Sequence, residues 1–242
     1  MFGIKHFIWI IMCIMFTIVM DYIGVKRKMT LKEAGLIMSF ICLLSESSKI
    51  MCNMIESSFG GMVLNPLALP FHLCSMMLFG VLYITFGKDG EFKDKLIDFV
   101  AVMGILGSIM AILIPTDGVE FTSILVYQCF VYHGGLLWFG TYLIIGGCAR
   151  IDFASYKRNI VILLGLVLLM IYVNSILSVY GTNFMFLTRP PLEGLPIINL
   201  DHGWFVYFGT IVMIGLVVIS LFYLPFMVIN KRRRIHEEKS CD

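Results

Sequence analysis

The residues best equipped for chemistry sit in the segment Leu69-Pro70-Phe71-His72-Leu73-Cys74. A thiolate attacks acyl carbonyls readily, and an imidazole is the side chain best suited to take the thiol proton near neutral pH. Both groups open a run that is otherwise almost wholly apolar, and polar side chains at membrane depth are expensive. His72 and Cys74 are two residues apart, so a helix turns them roughly 200° from each other. They are not a dyad by themselves. Pro70 suits a first helical position, which predicts that both residues lie near a helix N-terminus, where the dipole favours a thiolate. His133 is a second possible partner for Cys74. Set against this is a plain packing role: a membrane cysteine commonly acts as a small hydrophobe, with His72 then bonding only to backbone or loop.

The elements that must position these residues are membrane spans. The 242 residues are 59% hydrophobic, with a mean hydropathy of +0.92, too apolar for a soluble domain. A crossing needs about 20 mostly apolar residues. Seven stretches qualify, at roughly 4–24, 33–56, 69–87, 97–114, 121–146, 159–180 and 203–229. The expected fold is therefore an all-α, seven-helix membrane bundle, one polytopic domain over residues 1–242. The first stretch reads as a span and not as a cleaved signal: its apolar run is long, and Asp21-Tyr22 and a basic loop follow where small cleavage-site residues would stand.

Charge sets the expected orientation. Lys26, Arg27, Lys28 and Lys32 follow the first span, and Lys88, Lys93 and Lys95 follow the third. Arg150, Lys157 and Arg158 follow the fifth, and Lys231, Arg232, Arg233 and Arg234 follow the seventh. The alternate loops hold Glu56, Asp117, Glu120, Glu193 and Asp201, with Arg189 as their clear cation. Excess Lys and Arg marks cytoplasmic loops, which puts the N-terminus outside and the C-terminus in the cytoplasm. The terminal basic run reads as a topology signal with attraction for anionic lipid, not as a nucleic-acid site. The seven cysteines show no CxxC spacing and the five histidines no HExxH, so neither a disulfide framework nor a metal site is expected.

With this topology each polar residue acquires a depth. Glu46, Lys49 and Asn53 share one face of the outer half of span two. Gln128 lies in the outer half of span five and His133 near its middle, while Asn174 lies just below the outer end of span six. Asn183 and Arg189 fall in the following external loop. The inner half reads as poorer in such groups. The pattern predicts a polar cavity opening outward, with Glu46, Lys49, Gln128, Asn174, Asn183 and Arg189 as its binding residues. Blander roles stand beside these: Glu46 with Lys49 as a structural ion pair, and Asn174 as an interhelical hydrogen-bonding group.

The motifs then coincide with a known pattern. "LPFHLC" before span three, "YHG" in span five, "GTNFMFLTRPP" after span six and "LFYLPF" in span seven resemble the YwaF-like family of bacterial integral membrane proteins, which is related to eukaryotic transmembrane protein 164. The resemblance runs in order from about residue 65 to residue 228. It implies a lipid acyltransferase of the plasma membrane that moves a fatty acyl chain from a phospholipid to a lysophospholipid through an acylated cysteine. That cysteine matches Cys74, and the matching histidines are His72 and His133. No cofactor is implied, because the donor ester holds the energy. Two other readings keep different residues: a small-molecule carrier built on Glu46 and Lys49, and a structural factor with no site.

Overall fold

The computed structural model describes residues 3–192, 194 and 197–240, with backbone alone from residue 230 onward. The side chains of the terminal basic run, and Glu193, lie outside the described residues. Seven α-helices are present among them: α1 (Ile4–Arg27), α2 (Leu31–Cys52), α3 (Leu73–Phe86), α4 (Glu91–Leu113), α5 (Ile124–Ile145), α6 (Phe153–Ile176) and α7 (Trp204–Ser240). A short antiparallel hairpin, β1 (Met54–Glu56) and β2 (Met62–Leu64), joins α2 to the approach of α3, with Met54 opposite Leu64. The all-helical class is as expected.

Five helices are long and apolar enough to cross a membrane: α1, α2, α4, α6 and the Trp204–Ile229 part of α7. The other two depart from a simple span for physical reasons. The α5 helix carries Gln128, His133 and a series of glycines because it is the central helix. Leu136, Trp138, Phe139 and Leu143 are fully buried in it against α1, α2 and α4. Small residues let these helices close in: a Cβ at Gly140 would stand 2.8 Å from the carbonyl oxygen of Ala101 on α4.

The α3 helix is short because its start is displaced. Pro70 does not open it. Leu69 takes an extended conformation (φ −59°, ψ 147°), as a residue preceding proline is driven to do. His72 is the N-cap, and the helix begins at Leu73. The prolyl helix start is instead Pro66, which leads a 3₁₀ turn over Pro66–Ala68 capped by the side chain of Asn65. The second expected span likewise stops early, at Cys52, where the chain turns into the hairpin. Elsewhere local signals fix the ends: Thr30 and Glu33 form a capping box for α2, and Asp152 and Ser155 do so for α6.

The expectation that the inner end is poor in polar groups is corrected. Asp98 of α4 is buried; its carboxylate accepts from the Arg150 N–H at 2.7 Å and pairs with Arg158 of α6. Asn159 donates its side-chain amide to the Asp98 carbonyl at 3.2 Å and to the Tyr223 hydroxyl of α7 at 2.9 Å. This network clamps α4, α6 and α7 together at the end opposite the hairpin.

Candidate active site

At the hairpin end of the bundle, α3 starts directly over α5. The Tyr132 hydroxyl donates to the carbonyl of Cys74 at 2.5 Å and fixes the first turn of α3 to the central helix. The Cys74 thiol lies against Gly107 of α4, where an added Cβ would stand 2.9 Å from Sγ. Cys74 is the second residue of α3, and no side chain caps that first turn. The N–H groups of Leu73, Cys74 and Ser75 thus lack helical acceptors, and the positive end of the helix is close to the thiol.

The two histidines are held in opposite tautomers. His133 Nδ1 lies 2.7 Å from the carbonyl oxygen of Cys129. A carbonyl only accepts, so Nδ1 carries the proton and Nε2 keeps its lone pair. His72 is the reverse: its Nδ1 accepts from the Met185 N–H at 3.3 Å, which places the proton on Nε2. His133 thereby has a lone pair at Nε2, and His72 an N–H there.

The loop after α6 supplies the wall around His72. Its ring packs on Phe184 and Phe186, with centroids 5.5 and 5.2 Å away. Met185 and Phe186 both have left-handed backbone, at φ 56° and 55°, which costs roughly 1–2 kcal/mol per residue. Neighbouring groups enforce it. Asn174, itself buried, donates to the Phe184 carbonyl at 3.0 Å and accepts from the Phe184 N–H at 2.8 Å. Tyr207 of α7 donates to the Phe186 carbonyl, and Trp204 donates to that of Leu187 at 2.9 Å. Asn183 accepts from the Thr188 hydroxyl at 2.7 Å and from the Arg189 N–H at 3.2 Å. The Asn174→Ala variant is expected to strip both polar partners from a buried Phe184 backbone, costing about 2 kcal/mol or more. Thermal unfolding should register this loss, and limited proteolysis should cut faster near residues 183–189.

These elements enclose a cavity of about 800 Å³. Its polar end presents His72, Cys74, His133, Lys49, Gln128 and Arg189, with Ser75, Tyr132, Asn183 and Asp117 beside them. The rest of its lining is mostly apolar and includes Met103 and Leu106 of α4, Leu163 and Val167 of α6, and Ile214 and Ile219 of α7. Lys49 is paired with Glu46 at 2.9 Å and reaches Ser75 Oγ at 3.5 Å. Arg189 is exposed and donates to the Gly181 carbonyl at 3.0 Å, leaving guanidinium donors for an anion. Asp117 stands on the α4–α5 loop. Partial shielding from water raises its carboxyl above the usual range, and Lys49 draws it the other way.

A sequence model of the TMEM164 family matches residues 1–223. The chain belongs to the TMEM164 family. No curated protein and no solved structure matches it. The matched stretch contains every residue that lines the cavity of this family member.

Of the residues singled out from sequence, Cys74, His72, His133, Lys49, Gln128, Asn183 and Arg189 come together around the cavity. Glu46 and Asn174 do not line it; Glu46 holds Lys49, and Asn174 holds the loop. Asn183 reaches the cavity, but its amide is committed to Thr188 and Arg189. Tyr132, Gly107 and Asp117 were missed. Tyr132 adjoins His133 in sequence and lies fully inside the bundle, which is the signal that marks it. Gly107 is identified only by what packs on it.

Proposed function

We propose that this membrane protein is an acyltransferase that moves a fatty acyl chain between phospholipid and lysophospholipid through a thioester on Cys74. The observation that carries the reading is one cavity that joins a cysteine, a lone-pair histidine and two cations at its polar end to an apolar interior. An amphiphile with an anionic head fits such a shape.

In this mechanism His133 Nε2 takes the thiol proton as Sγ attacks the ester carbonyl. The free N–H groups of the first turn of α3, together with His72 Nε2–H, face the developing oxyanion. The C–O bond breaks, and the departing lysophospholipid alkoxide recovers the proton from His133. The acceptor hydroxyl then gives its proton to His133 as it attacks the thioester; the C–S bond breaks, and the departing Cys74 thiolate recovers that proton from His133. Lys49 and Arg189 hold the phosphate. The donor ester supplies the energy, so no cofactor enters. Water in the acceptor's place gives hydrolysis as a side reaction.

The loops at the site end hold Arg189 as their one Lys or Arg among the described residues, whereas the connections α1–α2, α3–α4 and α5–α6, counted with their flanking helix ends, are rich in them. By this bias the cavity faces the outer leaflet and the C-terminus is cytoplasmic; the family resemblance suggests the plasma membrane of a bacterial cell. On this reading all seven helices cross.

The test is intact-protein mass spectrometry of the purified chain after incubation with phospholipid, with and without neutral hydroxylamine. A fatty-acyl mass that hydroxylamine removes, mapped to the peptide containing Cys74, is the expected result. A folded protein that stays unmodified across several phospholipid classes would overturn the covalent mechanism and favour a carrier using the same cavity.

A further inference from the structure

The apolar half of the cavity has a feature that neither the chemistry nor the packing of the bundle requires. Gly215 stands in the middle of the α7 face that lines the cavity: Ile211 and Val212 precede it by four and three residues, and Val218 and Ile219 follow at three and four. All four of these neighbours line the cavity, as Gly215 does itself. A Cβ added at Gly215 meets no atom within 4 Å. This glycine therefore lets no helix approach, unlike Gly140 or Gly107. What it leaves is open volume in a cavity that Ile160 and Leu163 of α6 also line.

The geometry around it is that of a slot. At the inner end α6 and α7 are joined by Asn159 with Tyr223 and by Tyr156 with Ser220 at 2.9 Å. At the outer end α7 is joined to the loop following α6 through Trp204 and Tyr207. The cavity lies between these two clasps. From Ile114 to Met103 the α4 wall alone runs about 16 Å along the helix axis. A slot of that form, apolar along its sides and cationic at its mouth, suits one extended hydrocarbon chain whose head lies by Arg189 and Lys49.

We propose that Gly215 sets the length of acyl chain that the cavity accepts, as a specificity-determining position in the deep part of the slot. This rests on the lipid-acyl reading given above, and it names which part of the lipid the apolar half recognises. Long chains pass the Gly215 level and fill the space towards Ile219; a side chain at position 215 closes that space and leaves room for short chains only.

The experiment is native mass spectrometry of the purified full chain in detergent, titrated with dodecanoyl and octadecanoyl lysophosphatidylglycerol. The variants are Gly215→Phe and, as a milder plug, Gly215→Leu. Gly209→Phe is the control, because it also places a side chain in open space on α7 but away from the cavity lining. Replacing glycine inside a helix carries no propensity cost. Gly215→Phe is expected to weaken octadecanoyl binding roughly tenfold or more while dodecanoyl binding holds, as a blocked apolar pocket discriminates by chain length. Gly215→Leu should do the same to a smaller degree, and Gly209→Phe should change neither. Equal loss of both lipids, or of neither, in a folded Gly215→Phe protein would overturn the proposal. A chain-length shift in a protein that forms no thioester would refute the transfer chemistry alone.

Discussion

Cys74→Ala is expected to abolish acyl transfer, and His133→Gln to lower it by about 10²–10⁴, the usual contribution of a positioned general base. His72→Gln is expected to be the milder change. The asymmetry follows from the backbone partners of the two rings. His133 spends its one N–H on the Cys129 carbonyl, so Nε2 is the atom with a lone pair to offer. His72 spends its lone pair on the Met185 N–H, so Nε2 can only donate. A glutamine side chain still donates a hydrogen bond but takes no proton, which makes it a fair replacement for His72 and a poor one for His133. The measurement is single-turnover acylation of Cys74 by phospholipid in the wild type and both variants. Loss of His133 should slow the step far more than loss of His72, which removes only a donor to the oxyanion. If His72→Gln slows acylation more than His133→Gln does, the roles are reversed.

The sequence made the site's membership legible and left its wiring hidden. Cys74, His72 and His133 stood out because polar groups in apolar runs need a reason, and the cavity does gather them. Helical spacing put Lys49 and Glu46 on one face, and they are paired. The order of the two histidines in the mechanism was not readable, because it depends on Cys129 and Met185 backbone groups that only the fold brings to the rings. Asn174 and Asn183 read as binding groups by type alone; their partners are backbone groups 10 and 6 residues away, within a loop whose left-handed turn no periodicity announces. The start of α3 was misplaced because Pro70 suits two roles, and the extended residue that must precede a proline decided between them. The Asp98 cluster was overlooked for a different reason. It is assembled from α4, the α5–α6 connection, α6 and α7, each supplying one or two polar residues to one point.

That cluster carries the second large effect. Asp98→Asn is expected to destabilise the protein by about 3 kcal/mol, the lower end for removing one partner of a buried ion pair. Asp98 is 3% exposed, and its carboxylate serves both Arg158 and the Arg150 N–H. An asparagine can still accept from Arg150, but it cannot balance the guanidinium. The Arg158 side chain is 26% exposed, so water relieves part of the penalty. Asn159 keeps its bonds to the Asp98 carbonyl and the Tyr223 hydroxyl, because neither involves the carboxylate. Removing both charges, as in Asp98→Asn with Arg158→Met, should therefore recover much of the loss. Thermal unfolding of the wild type, both single variants and the double variant closes the cycle, and additive losses would show that the pair is not coupled. The proposed catalytic groups lie at the other end of the bundle, so the acylation rate of the protein that remains folded should change little. The floor of the cavity is another matter: Ile160 and Ile219 sit one and four residues from Asn159 and Tyr223. A loosened clasp between α6 and α7 should therefore show itself first as poorer discrimination between long and short acyl chains, with thioester formation retained.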